Sequence, residues 1–369
     1  MSQIKLYFDE TNEEHLNRLE FCPSLYRKSD YEVESKDDVD APSVENAATY
    51  DPPYYLYNPH VMVYYSTYKI KRLNLKRNRE DVVNPVDGGT VSLDWFDFGN
   101  EFAEDTPTIL VCHGLTGGSH EPYIQYLAHH AYESKGYRTV VFNNRGCAGN
   151  KVTADVGYCG TKIDDMELVI EKIKAKIPNA PLFVVGFSFG SVIMVNYLSA
   201  HGHDSPFLAH VSISNPFCLY ESQKHLSNSF LGGYIYGQGL ATSIKKLFYK
   251  FGDRIDKYAT KEQIQAAKYT YELDELVTHK MFGYESAKHY YLEASTNKHI
   301  PKLNKPILFI NAEDDPLYNI STLPFGEIKN NPNTIMAMSK RGSHLGFISY
   351  TDWKSWSDRA TVEYLSTFL

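Results

Sequence analysis

The chain has no stretch approaching the roughly eighteen consecutive apolar residues that a bilayer-spanning helix needs. No spanning helix is therefore expected. Its opening, Met1-Ser2-Gln3-Ile4-Lys5, is polar and lacks a basic segment leading into an apolar core, so no secretory signal is read. Cysteine is scarce: Cys22, Cys112, Cys147, Cys159 and Cys218 are odd in number and form no C-x-x-C pair. That argues for reduced thiols over a disulfide framework or a zinc site. Histidine makes no H-E-x-x-H, and His129-His130 are neighbours without further ligand spacing, so no metal or other cofactor is expected. Nor does any histidine have an aspartate five residues later, the H-x-x-x-x-D pattern of some acyltransferases. Positive charge is in deficit: 37 Lys and Arg against 45 Asp and Glu leave a net charge of −8, which argues against nucleic acid as a partner. These absences fit a cytoplasmic enzyme, with peripheral contact to a membrane or lipid droplet left open.

What is present begins with Gly186-Phe187-Ser188-Phe189-Gly190. An apolar run, Pro181–Val185, stands before it and a helix-like stretch, Ser191–Leu198, follows. Strand, G-x-S-x-G, helix is the nucleophile elbow, in which a tight turn pushes the serine hydroxyl out above a sheet. Upstream, Thr108–Cys112 reads as a buried strand opening into His113-Gly114-Leu115-Thr116-Gly117-Gly118-Ser119. An H-G-x-x-G loop at that place supplies the second oxyanion donor, so the N–H groups of Leu115 and Phe189 are expected to converge on a developing oxyanion. His113 reads as a structural loop histidine.

The remaining partners should follow in the order Ser, acid, His. Pro306–Asn311 reads as a buried strand and Ala312-Glu313-Asp314-Asp315-Pro316 leaves its end; Ile335–Met338 precedes Arg341-Gly342-Ser343-His344. Asp315 is taken as the acid, with Asp314 as the alternative, and His344 as the base. His344 would accept the Ser188 proton while Asp315 fixes its tautomer, and Ser188 would attack an acyl carbon to give an acyl-enzyme.

Strand-like runs at 90–96, 108–112, 138–142, 182–185, 208–213, 306–311 and 334–339 alternate with helical stretches, which means a mostly parallel α/β sheet. Residues 1–50 read as a polar N-terminal arm, with Glu32, Glu34, Asp37, Asp38 and Asp40 close together; Leu16, Leu19, Phe21 and Leu25 offer a short helix to dock on the body. The division expected is 51–217 and 301–369 for the two parts of the core, with 218–300 an inserted helical lid. Ile244, Leu247, Phe248 and Phe251 recur there at helical spacing, as do Tyr269, Leu273 and Val277. Phe187, Phe189, Phe230, Tyr234 and Tyr236 are candidate walls of an acyl pocket. Lys69, Lys71, Arg72, Lys76, Arg77 and Arg79 form a basic cluster that reads as a solvated segment, with contact to anionic lipid as the sharper alternative.

Taken together these motifs resemble the YheT-like, embryogenesis-associated branch of the α/β-hydrolases, which includes bacterial and plant esterases, vertebrate lipid hydrolases and fungal medium-chain ester hydrolase/synthases. The resemblance runs from Leu56-Tyr57-Asn58-Pro59-His60 and Asp87–Trp95 through His113–Tyr123, Asn143-Asn144-Arg145-Gly146-Cys147-Ala148-Gly149 and Gly186–Gly190. It continues in Ser214-Asn215-Pro216-Phe217, Tyr290–Ser295, Asn311–Pro316 and Gly342–Phe347. It implies an α/β-hydrolase fold with Ser188, Asp315 and His344 at the triad positions and a small ester or lipid as substrate, its acyl chain short or medium. Vertebrate relatives carry an N-terminal membrane helix, which the polar N-terminus here does not match. Hydrolysis is the first reading of the activity. Transfer of the acyl group to an alcohol by the same triad is the second, and a catalytically silent lipid- or protein-binding member is the third.

Overall fold

Strands that are largely apolar along their length are covered on both faces, and such runs form the middle of one sheet here. The computed structural model describes residues 2–26, 47–228, 236–349 and 355–369. Among these, nine strands make the sheet: β1 (Lys5–Tyr7), β2 (Lys76–Val83), β3 (Thr90–Asp97), β4 (Thr108–Cys112), β5 (Arg138–Asn143), β6 (Leu182–Phe187), β7 (Ala209–Ile213), β8 (Ile307–Ala312) and β9 (Thr334–Ser339). Their order is β1-β9-β8-β7-β6-β4-β5-β3-β2. From β9 to β5 all neighbours are parallel. The edges are antiparallel, β1 on β9 and β2 on β3 on β5.

Alternation along each central strand feeds two cores. Ile109, Val111, Phe183 and Val185 point to the face covered by the Pro122–Lys135 and Trp356–Ser366 helices. Leu110, Val184, Ile307 and Phe309 point to the other face, under the Asp164–Lys176 and Phe189–His201 helices. Each fully buried Leu, Ile or Val on these faces stabilises the fold by about 1.5–3 kcal/mol.

The structure adds to this sheet two strands beyond those read from sequence, and outside it Ser2–Gln3 pairs antiparallel with Thr49–Tyr50. β2 is built from Lys76-Arg77-Asn78-Arg79-Glu80-Asp81-Val82-Val83, largely exposed along its length. Its charges suit an edge strand. Arg79 is bidentate on buried Asp94, at 2.8 Å from each oxygen, and Arg77 stands 3.3 Å from the same group. β1 lies in the segment read as a polar arm and buries Leu6 against β9. The Glu13–Leu19 helix follows, capped by the Asn12 side chain, which accepts the Glu14 N–H at 3.0 Å. Leu19 and Leu25 are buried while Phe21 faces solvent. Glu32, Glu34, Asp37, Asp38 and Asp40, like Phe230 and Tyr234, lie outside the described residues.

Between β7 and β8 the described residues form helices joined by short turns, with Leu219–Asn228, Gln238–Tyr249 and Ala287–Ala294 the longer pieces. Ile244, Phe248, Phe251, Ile255, Leu273 and Val277 form a separate apolar cluster, and Leu115 and Val156 pack against it from the sheet side. Among the described residues no helix is long and apolar enough to cross a membrane.

The Trp356–Ser366 helix buries Asp358 in its first turn, where loss of solvation pushes the carboxyl up to about 8. A carboxyl in the unfolded chain titrates near 3.9. With the folded value above the unfolded one, this group's contribution to stability is full below about pH 4 and is lost as pH rises through about 8. Asp358→Asn is expected to remove that decline. Its advantage in melting temperature over wild type, measured by calorimetry, should be larger near pH 8 than near pH 5; an equal difference at both pH values would contradict the assignment.

Candidate active site

β6 ends at Phe187 and a helix starts at Phe189, which leaves Ser188 alone in the turn with φ +50° and ψ −116°. A non-glycine residue held there is strained and persists only where its surroundings enforce it. The flanking glycines permit that geometry. A Cβ on Gly186 would stand 2.6 Å from the Ser191 Cα, and one on Gly190 would stand 2.2 Å from the Cys112 carbonyl oxygen. The Ser191 hydroxyl closes the turn by donating to the Gly186 carbonyl at 2.6 Å.

Loops after β8 and β9 bring two further side chains to Ser188. His344 Nε2 lies 2.9 Å from Ser188 Oγ, and His344 Nδ1 lies 2.7 Å from Asp315 Oδ2. An ionised carboxylate only accepts, so Nδ1 carries the proton and Nε2 is left to accept from the serine hydroxyl. Asp315 Oδ1 takes the Leu317 N–H at 2.8 Å, and its side chain is fully buried. Asp314 faces elsewhere: its Oδ1 accepts the Ser343 N–H at 2.7 Å. Burial, with the Asp315 charge beside it, pushes the Asp314 carboxyl up to about 6. Of the two adjacent carboxylates, Asp315 is the one bonded to His344. Ser343 also donates its hydroxyl to the Pro59 carbonyl at 2.8 Å, which ties the histidine loop to the N-terminal side of the molecule.

Leu115 and Phe189 both line the cavity into which Ser188 opens. Phe189 is the first residue of its helix, so its N–H has no intrahelical acceptor. Leu115 sits between two held positions. The Gly114 N–H donates to the Tyr123 hydroxyl at 3.0 Å, and the Thr116 N–H to the Tyr158 hydroxyl at 2.8 Å, with Thr116 at φ +58°. Burial keeps both phenols well above their ordinary pKa and hence neutral. Sequence reading did not single out these two tyrosines: they act through one hydroxyl each on a backbone amide, and no periodicity or motif carries that signal.

His113 is a loop support. Its Nδ1 donates to the Gly114 carbonyl at 2.6 Å and its Nε2 accepts the Asn144 N–H at 3.1 Å. Burial lowers its pKa to about 4, so the ring is neutral. The Asn143–Gly149 loop is anchored by Arg145, whose guanidinium reaches Asp165 and Asp87, each at 2.6 Å. Burial alone would lower its pKa, but the two carboxylates hold it above the ordinary value. Cys147 in the same loop is buried, and that burial pushes its thiol up to about 12.

The cavity measures about 390 Å³. Phe187 and Phe189 line it near Ser188, and Leu219, Leu226 and Leu247 bring in the helices beyond β7. Tyr236 instead has its hydroxyl 2.8 Å from Nδ1 of His60. On the far side Asp274, pushed up to about 6 by burial, accepts hydrogen bonds from Thr278 and Tyr291, each at 2.5 Å.

A parallel sheet with a strand–serine–helix elbow, and an acid and a histidine on later loops, is the architecture of an α/β-hydrolase. A family model described as "alpha/beta hydrolase fold" matches residues 107–333. The "Abhydrolase domain-containing protein" of Dictyostelium discoideum is 55% identical over 375 residues, covering 100% of this chain and 95% of that one. The chain belongs to the α/β-hydrolase family. It is also similar to the mouse protein "Phospholipase ABHD3", 36% identical over 277 residues, which cover 73% of this chain and 66% of the mouse protein. Its relatives include the embryogenesis-associated protein of Picea glauca and the putative esterase YheT of Escherichia coli, members of the branch read from the motifs. Among solved structures, the Pyrococcus furiosus esterase Pf2001 shares the fold, with a TM-score of 0.52 at 16% identity over 80% of this chain and 92% of that one.

Proposed function

We propose that the protein hydrolyses carboxylic esters, with short or medium acyl chains or lipid-like ones, through an acyl-serine on Ser188. The observation that carries this is the hydrogen-bonded chain from Asp315 through His344 to Ser188, at the floor of a largely apolar cavity. His344 Nε2 takes the hydroxyl proton as Ser188 Oγ bonds to the ester carbonyl carbon. Asp315 stabilises the imidazolium, and the N–H groups of Leu115 and Phe189 receive the oxyanion. The imidazolium then protonates the leaving alcohol, and water activated by the same histidine releases the acid. The esterase and lipase names of the relatives support the reading, among them a yeast monoacylglycerol lipase. The helices of residues 218–300 act as the lid, supplying the leucines of the acyl wall.

A second reading, resolution of the acyl-serine by an alcohol, draws on the apolar lining, which disfavours water at the acyl-enzyme. A yeast relative is named medium-chain fatty acid ethyl ester synthase/esterase. One experiment separates the readings. A serine-directed phosphonate should label wild type and not Ser188→Ala, and an octanoyl ester with dilute ethanol present should give free octanoate as the main product. Ethyl octanoate as the main product would favour transfer. Well-folded protein that takes no label would leave the silent lipid- or protein-binding member.

A further inference from the structure

One wall of the cavity is a helix, Pro59–Tyr64, that runs directly into a π-turn, Tyr65–Lys69. Its inner side supplies Val63, Ser66, Thr67 and Ile70 to the lining, and Thr67 is also exposed, so the rim of the opening lies here. The other side carries Val61, Tyr64 and Tyr68, which are 45%, 53% and 72% exposed. Spacings of three and four residues set them on one face, and the rings of Tyr64 and Tyr68 stand 5.5 Å apart. Tyr54 and Tyr55, also exposed, precede them in the chain. Exposed apolar groups gathered in one place mark a binding surface, and tyrosine, apolar along its ring and polar at its tip, suits a membrane–water boundary.

Charge points the same way. From Pro52 to Arg79 the sequence holds no Asp or Glu, in a chain with 45 of them and a net charge of −8. Arg77 and Arg79 are taken up by Asp94. Among the described residues, no carboxylate pairs with Lys69, Lys71, Arg72 or Lys76, and all four are exposed. A symmetric dimer through this face would set the same cations against themselves.

We infer that this face docks on an anionic phospholipid membrane, with the Pro59–Tyr64 helix lying in the interface and the cavity rim turned toward the lipid layer. The inference rests on the ester-hydrolase reading for what enters by that rim. About 10 Å, the width of one helix, separates the lipid-facing tyrosines from the cavity.

The test sediments the whole chain with vesicles of phosphatidylcholine alone or with phosphatidylserine added. Retention is expected on the phosphatidylserine vesicles only, and is lost in high salt. Lys71→Glu combined with Arg72→Glu should weaken retention about thirty-fold or more, from the roughly fivefold that each cation near such a surface contributes. Tyr64→Ser with Tyr68→Ser should weaken it at constant charge. None of the four lines the cavity, so turnover of a water-soluble short-chain ester should stay at the wild-type level while turnover of a vesicle-embedded ester falls. Failure of wild type to bind phosphatidylserine vesicles, or retention of both variants at the wild-type level, overturns the inference. So does a self-associated state abolished by the tyrosine changes, or an equal loss of soluble-ester turnover. Wild type that binds the vesicles yet turns over no ester leaves the docking face standing and removes the hydrolase reading.

Discussion

His344→Ala is expected to lower ester turnover by about 10⁴- to 10⁶-fold while the protein still folds. The size follows from what the imidazole does. In the proposed mechanism its loss removes the base bonded to Ser188 Oγ at 2.9 Å, and the Asp315 carboxylate loses the Nδ1–H partner it holds at 2.7 Å. The fold does not rest on the ring, which lies on a loop past β9, outside the apolar clusters on either face of the sheet. Turnover of a soluble ester and the melting temperature are the paired measurements. A variant that keeps a tenth of wild-type turnover would sink the proposed roles of all three side chains.

Gly190→Ala is expected to act on the fold itself. The new Cβ would stand 2.2 Å from the Cys112 carbonyl oxygen, 2.5 Å from its carbon and 2.6 Å from the His113 oxygen. These are backbone atoms of β4 and the loop that carries Leu115, so no side chain can swing away. Overpacking of this kind costs about 3 kcal/mol or more, and any relief must push the Leu115 loop away from Ser188. Both stability and turnover should therefore fall. Gly239→Ala is the control: nothing lies within 4 Å of its Cβ position, and it sits at the start of the Gln238–Tyr249 helix, where alanine should be neutral or stabilise by up to about 1 kcal/mol. Equal melting temperatures for wild type and Gly190→Ala would contradict the packing described.

The central strands were legible because burial on both faces makes them largely apolar, and β4, β6, β8 and β9 carry such runs. β2 was not: a largely exposed, charged edge strand shows no apolar alternation, and the residue that takes its Arg79, Asp94, lies on the neighbouring strand. β1 has three residues, too few for any period. Asp315 was the acid read from the sequence, but Asp314 stood as the alternative because both leave the same strand. The turn separates them, sending one carboxylate to His344 and the other to the Ser343 amide. Tyr123 and Tyr158 were out of reach for a different reason, because their partners are backbone amides, nine and 42 residues away, that only the folded loop brings to the hydroxyls.

The pairing of β1 with β9 has a consequence for how the molecule is made. Asn12, just past β1, donates its side-chain amide to the Pro332 carbonyl, 320 positions further on. A ribosome adding about 5–20 residues per second takes roughly 15–60 s to cover that distance. Through that interval β1 has no edge to join, while the strands from β3 to β7 can already pair among themselves. Closing so long a loop carries an entropic cost that grows only with the logarithm of its length, so the delay is one of synthesis more than of search. The N-terminal strand can therefore pair with its edge only after β9 has emerged. Until β1 joins it, that edge is an open template on which another chain can pair.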